Sequence, residues 1–115
     1  MGKGMPLILL SMAIVFVGCS TVPAQHDFKL TENEREFEKF LLNRFPPGTE
    51  ISQVENDMRR NGFECSHESD NIGDYLYCDK SQAKTLFVSV RWQIIIRYER
   101  GRTKTIDVNI GYIGL

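Results

Sequence analysis

From Leu86 to Tyr98 every even position is apolar (Leu, Val, Val, Trp, Ile, Ile, Tyr), while the odd positions between them are mostly polar. Successive side chains of a strand point to opposite sides, so an extended chain gathers this set on one face and a helix would scatter it. Arg100-Gly101-Arg102 interrupts the run, and Ile106, Val108, Ile110 and Tyr112 resume it with the same even parity. Two strands joined this way bury a shared face only if even residues oppose even residues, because a slip of one residue turns a strand's whole apolar set toward water. A three-residue loop flanked by Glu99 and Thr103 meets that condition. The pattern therefore predicts a long antiparallel hairpin with an apolar even face and a polar odd face.

A sheet with one apolar face needs a cover, and the residues ahead of it supply one. Thr31-Glu32-Asn33-Glu34 has the form of a capping box, with Leu30 placed as an apolar staple. Phe37, Phe40, Leu41 and Phe45 follow at helical spacing as far as Pro46-Pro47. Gly48-Thr49 opens a second helix, with Thr49 the expected N-cap and Ile51, Val54 and Met58 on one face. Arg59 and Arg60 suit its negative end, and Asn61-Gly62 stops it. Phe63 to Ser66 and Tyr75 to Asp79 read as short strands on either side of the turn-rich stretch from Glu68 to Asp74. The expected fold is α+β in the order α-α-β-β-β-β: two N-terminal helices on one face of a four-stranded antiparallel sheet. Phe37, Phe40, Phe45 and Trp92 are expected to meet as core between the layers.

The start of the chain obeys a different rule. Met1-Gly2-Lys3-Gly4 is a short positive start, and Leu7 to Val17 is apolar except for Ser11, the n-region and h-region of an export signal. At about eleven residues the run falls short of the roughly 20 that a spanning helix needs. It ends in Phe16-Val17-Gly18-Cys19-Ser20, which resembles the lipobox of bacterial lipoproteins, with Phe16 where that family usually has Leu. The resemblance implies a diacylglyceryl group on the Cys19 thiol, cleavage just before Cys19, and an amino terminus open to further acylation. Several acyl chains matter, since one alone holds a protein only marginally. Ser20 in place of Asp implies, by the family's sorting rule, an outer-membrane anchor with the domain on the periplasmic side. Met-Gly is not a myristoylation signal, because Pro6 stands where that signal needs Ser or Thr. The expected division is residues 1–18 signal peptide, 19–30 lipidated cysteine and polar tether, and 31–115 a single periplasmic domain.

Charge and cysteines narrow the field further. The chain carries 14 basic and 15 acidic residues, and Lys3 is the only charge in the leader, so the remainder holds 13 against 15. That lacks the basic excess of a general nucleic-acid binder. With Cys19 set aside, Cys65 and Cys78 are left flanking one turn, and an isolated pair in an exported domain is expected to form a disulfide rather than a metal site, which wants four ligands. Gly48-Thr49 leading into a short helix with Val54, behind a lipobox and ahead of a strand meander, is similar to the small assembly-factor lipoproteins of the SmpA/OmlA type. That resemblance implies an α-α-β-β-β plan and a role in supporting assembly of outer-membrane barrels. The chain departs from it at Gly62, where the family has a Gly-x-Pro turn and Phe63-Glu64-Cys65 follows instead, and in the cysteine pair.

His67, Glu68, Asp70 and Asp74 fall in or beside the first hairpin loop, where turns themselves demand Asp, Asn, Ser and Gly. A single histidine without a second ligand set argues for neither a metal site nor an acid–base pair. His26-Asp27 falls in the tether. Without a Gly-rich phosphate loop, a Ser/His/Asp spacing or a free thiol in the mature chain, the reading is of a non-enzyme with no metal, no cofactor and no small-molecule substrate. What remains is surface. Phe87, Arg91, Gln93, Ile95 and Arg97 share the odd face of the long hairpin near Thr105, Asp107 and Asn109, and apolar and Arg side chains together are the mixture that interfaces favour. Two functions follow. One is a lipid-anchored periplasmic binding or scaffolding module for another envelope protein. The other is a periplasmic inhibitor or immunity protein that plugs an enzyme with residues 67–74.

Overall fold

A computed structural model describes residues 28–114, so Cys19, the leader and the tether around it lie outside the described residues. The elements are α1 (Glu34–Arg44), α2 (Ile51–Arg60), β1 (Glu64–Ser69), β2 (Asp74–Ala83), β3 (Val88–Glu99) and β4 (Arg102–Gly114). All strand pairs are antiparallel and the sheet order is β1-β2-β3-β4, which is the expected α+β architecture.

The register of the long hairpin puts Ile96 opposite Ile106, Ile94 opposite Val108 and Trp92 opposite Ile110, so even faces even. The route differs from the three-residue loop. Glu99 pairs with Arg102 around the two-residue turn Arg100-Gly101, whose φ values of 55° and 77° are both positive, as a type I′ turn requires. That turn alone pairs even with odd, as Tyr98 opposite Thr103 shows. A bulge then sets Arg97 opposite Thr105, leaves Lys104 as the extra residue, and restores parity for the rest of β4.

Most of the even face is buried: Leu76 and Cys78 from β2, Val90, Trp92, Ile94 and Ile96 from β3, and Ile106 from β4, with Tyr98, Val108 and Ile110 partly buried, whereas Leu86 and Tyr112, expected on the same face, are exposed. Phe37 and Leu41 of α1, Phe45 just after it, Val54 and Met58 of α2, and Phe63 close the other side. Phe37 stacks on Phe40 at 5.9 Å between centroids, and the Trp92 indole donates to the Thr31 carbonyl at 2.8 Å. On the edge of the sheet, Glu34 of α1 accepts from the Ile110 amide of β4 at 2.9 Å, which occupies one of that strand's outward donors.

Several local expectations give way to tertiary contacts. Asn33, not Thr31, caps α1, its side chain accepting from the Glu36 amide at 3.0 Å while Thr31 accepts from the Asn33 amide at 2.9 Å. Asn caps at least as well as Thr, and the Thr31 backbone is already committed to Trp92. Thr49 does not cap α2. Glu50 holds the cap position without a side-chain bond, and Thr49 donates to the Pro46 carbonyl at 2.6 Å. The Ile51 amide instead donates to the Gly101 carbonyl at 2.8 Å, so the far hairpin turn caps this helix. Buried Thr103 completes the stitch: its amide donates to the Thr49 carbonyl, its carbonyl accepts from Gly48, and its hydroxyl donates to Pro46.

Strand limits shift as well. Phe63 is core, not strand, and Leu86 and Phe87 precede β3 in an exposed turn. The first hairpin turn shrinks to residues 70–73, where Asp70 accepts from the Ile72 and Gly73 amides at 3.0 and 3.1 Å. The packed domain also begins earlier than residue 31. Phe28 contacts the Phe40, Phe45 and Phe63 rings, lies under the Arg44 guanidinium, and donates its amide to Asn61. Leu30 packs against the core too, so the expected tether loses its last residues to the fold.

Cys65 and Cys78 oppose each other in the β1–β2 ladder, with Cα atoms 4.1 Å apart and sulfurs at disulfide distance. Every other residue of β1 is exposed, so this edge strand has almost no core of its own. The sequence separation of 13 gives a stabilisation of about 3 kcal/mol in the chain-entropy model, and a Cys65→Ala/Cys78→Ala variant should lose about that much in urea unfolding. Deleting Lys104 should do far more, because it turns Ile106, Val108 and Ile110 to the polar face. The deletion is expected to abolish a cooperative thermal transition, while Lys104→Ala, which keeps the residue count, should melt near the parent.

Candidate interaction face

Both helices cover the even face, so the odd residues of β2, β3 and β4 form the outer surface. Ile95 sits between Tyr77 and Asp107, Gln93 between Asp79 and Asn109, and Arg97 between Tyr75 and Thr105. Arg91 is flanked by Ser81 and Gly111. The structure thus brings Arg91, Gln93, Ile95 and Arg97 together beside Thr105, Asp107 and Asn109. Phe87 is not among them, since it stands in the turn ahead of β3.

A polar network holds this surface in place. Gln93 donates to the Tyr77 hydroxyl at 2.8 Å and accepts from Asn109 at 3.3 Å. Arg97 grips both oxygens of Asp70, at 3.2 and 2.8 Å, with its guanidinium 5.0 Å from the Tyr75 ring centre. Arg91 pairs with Asp79 at 3.2 Å, and its Nε is shielded from solvent with no acceptor among the described residues. The two arginines are therefore not a bare cationic rim around Ile95, because each already has a carboxylate from its own chain. Above Ile95 lies a shallow cleft of about 260 Å³ lined also by Tyr77, Gln93, Asp107, Val108 and Asn109.

Sequence reasoning missed β2's share of this face. Tyr75, Tyr77 and Asp79 alternate with buried Leu76 and Cys78, a period-2 signal that was readable, whereas the partnership of Asp70 with Arg97 spans 27 residues and left no local mark.

The hairpin loop is organised differently from a catalytic pocket. His67 lies in β1 with Nε2 2.7 Å from Glu55 and Nδ1 2.9 Å from the Tyr98 hydroxyl, and Glu55 also accepts twice from Arg59. Burial works against ionisation of Glu55, but the hydrogen bonds from His67 and Arg59 outweigh it and hold its carboxyl below the ordinary range. The cluster ties α2 to β1 and β3. Among the described residues no three His, Cys, Asp or Glu side chains converge on a metal position. At the same end, between the two hairpin turns, a cleft of about 380 Å³ is lined by Ile72, Asp74, Arg97, Tyr98, Arg100 and Lys104 among others. Ile72 is 74% exposed at its rim. No described helix is long and apolar enough to cross a membrane. Comparison of the chain with protein-family models, curated proteins and solved structures finds no match.

The Asp70–Arg97 pair has a pH signature. Hydrogen bonds from Arg97, against some burial and with help from the Ile72 and Gly73 amides, hold the Asp70 carboxyl down at about 2, below its ordinary 3.8. A carboxylate with a depressed folded pKa stabilises the native state above its unfolded value, and that contribution disappears as pH falls from about 4 to about 2. Asp70→Asn should therefore melt below the parent at neutral pH, and the two melting curves should converge as pH approaches about 2.

Proposed function

We propose that this chain is a bacterial envelope lipoprotein, held by lipid on Cys19 in the outer membrane on its periplasmic side, whose domain is a non-enzymatic binding or scaffolding module for another envelope protein. The address rests on the charged start, the short apolar run and the Val17-Gly18-Cys19 lipobox. The observation that carries the binding role is the outer face, which no described element covers. Ile95 lies half-buried in a cleft at its centre, and the surrounding Tyr77, Gln93, Asn109, Arg91 and Arg97 are fixed by hydrogen bonds before any partner arrives. Preorganised side chains lose little entropy on binding, and tyrosine and arginine around an apolar centre make productive anchors. The shielded Arg91 Nε adds an unmet donor that a partner's oxygen satisfies if the side chain turns outward.

A second reading, an inhibitor that blocks an enzyme, is favoured by the first hairpin turn, which Asp70 braces from within while Ile72 projects into solvent.

The anchor is tested by Cys19→Ala, which should abolish lipid labelling and processing. A protein still cut at the same place and still membrane-bound would defeat the lipoprotein reading. The face is tested by Ile95→Lys, which leaves the even-face core untouched, places its cation opposite Asp107, and should melt close to the parent while weakening partner crosslinking in envelopes by about 2 kcal/mol or more. Loss of the same crosslinks on Ile72→Asp instead, with Ile95→Lys silent, points to the inhibitor reading.

A further inference from the structure

Four of the large apolar side chains left in solvent gather at one end of the sheet. Leu86 and Phe87 in the β2–β3 turn are 84% and 66% exposed, and Tyr112 and Ile113 of β4 are 55% and 46% exposed. The register brings them together, since Val90 pairs with Tyr112, Ser89 with Ile113 and Val88 with Gly114. The turn is not a loose loop. The Lys84 and Thr85 amides both donate to the Val88 carbonyl, at 2.8 and 3.0 Å, and the Phe87 amide donates to the Thr85 hydroxyl at 3.1 Å. An internally bonded turn thus holds two bulky apolar side chains out into water.

Charge around this end is sparse and mostly paired. Residues 80–91 contain Lys80, Lys84 and Arg91, of which Lys84 pairs with Glu32 and Arg91 with Asp79, and residues 108–115 contain no charged side chain. The acid that reaches the base of the turn is Glu32, which accepts from Lys84 and from the Tyr112 hydroxyl, both at 2.7 Å. Glu32 belongs to the segment that leads back toward Cys19. From Phe28, fixed on Asn61, this segment passes Thr31, fixed on Trp92, and arrives at the turn. Eight residues lie between Cys19 and Phe28, a reach of about 30 Å at full extension. The opposite turn, with Arg100 and Arg102, lies the length of β3 away, about 40 Å from the Leu86 end.

We propose that the β2–β3 turn is a membrane-contact tip: Leu86 and Phe87 enter the headgroup region of the bilayer, with Tyr112, Ile113 and the Glu32-paired Lys84 behind them. The inference rests on the Cys19 anchor. Two apolar side chains on a convex turn bind a bilayer weakly by themselves, but beside a covalent lipid they act at high local concentration. Aromatic and lysine side chains are the groups that settle at headgroup depth. The tip adds orientation to the anchor, standing the sheet on the membrane with the Ile95 face open sideways.

The test uses the mature lipidated protein in vesicles of phosphatidylethanolamine and phosphatidylglycerol, labelled with an environment-sensitive fluorophore at Ala83→Cys or at Arg100→Cys, both exposed sites. Doxyl lipid should quench the probe at 83 several-fold more than the probe at 100. Adding Leu86→Glu and Phe87→Glu should reduce quenching at 83 to the level at 100, with the protein still floating with the vesicles. Equal quenching at both sites in floating protein overturns the tip and leaves the anchor standing. A probe at 83 already shielded without vesicles shows that a protein covers the turn, and also overturns it. Mass spectrometry reads the anchor separately: no lipid on Cys19, with the probe at 83 still quenched, removes the anchor and keeps the tip.

Discussion

One extra residue in β4 decides whether the two long strands share one apolar face. The type I′ turn at Arg100-Gly101 gives the twist that joins two strands tightly, yet its geometry pairs even positions with odd. Lys104 absorbs the mismatch, and from Arg97–Thr105 onward the apolar sets of β3 and β4 share a face. Without that correction half of the long hairpin would present Ile106, Val108 and Ile110 to water, and the helices would lose the β4 side of the apolar face they cover. The same turn also serves α2, whose first amide is satisfied by the Gly101 carbonyl and whose approach is pinned by Thr103. Hairpin register and helix placement are therefore one problem with one solution.

The helical layer has its own joint at the end of α2. Asn61 is 2% exposed and fully used: it accepts from the Phe28 amide, donates to the Asp57 carbonyl, and offers its own carbonyl to Lys80 of β2. Asp57, nearly buried, is matched by Arg44 of α1 and by Arg60. Leaving any of these groups buried and unpaired costs more than its hydrogen bond gains, so the cluster specifies how the two helices, the entering segment and β2 meet.

What could be read ahead of the structure was what depends on period and composition. The even parity of 86–98 and 106–112, the helical spacing of Phe37, Leu41, Val54 and Met58, and the facing of Cys65 and Cys78 are local or nearly local patterns, and each led to the correct element. What failed depended on distant partners. Thr49 has the residue type of a cap, but the Gly101 carbonyl, distant in the chain, does that work by accepting from the Ile51 amide. Phe28 reads as part of a polar tether until the pocket between Phe40, Phe45 and Phe63 exists to receive it. On the outer face the positions of Arg91 and Arg97 were legible from parity, but their pairing with Asp79 and Asp70 was not, because carboxylates in a neighbouring strand and its turn are placed only by register.

The surface consequences follow from covering only one side of a four-stranded sheet. The covered side carries most of the cohesion, and the outer side, braced by pairs such as Asp70–Arg97, accommodates an apolar centre among fixed polar groups. The two ends of the sheet then diverge in chemistry. One carries Arg97, Arg100, Arg102 and Lys104 among carboxylates, and the other carries Leu86, Phe87, Tyr112 and Ile113 with Lys84. With the anchor proposed at Cys19 and the tip proposed at the β2–β3 turn, a domain linked through Glu32 to its apolar end would stand upright on the membrane. That orientation would leave the Ile95 face neither against the bilayer nor pointing away from it, as the proposed binding role requires.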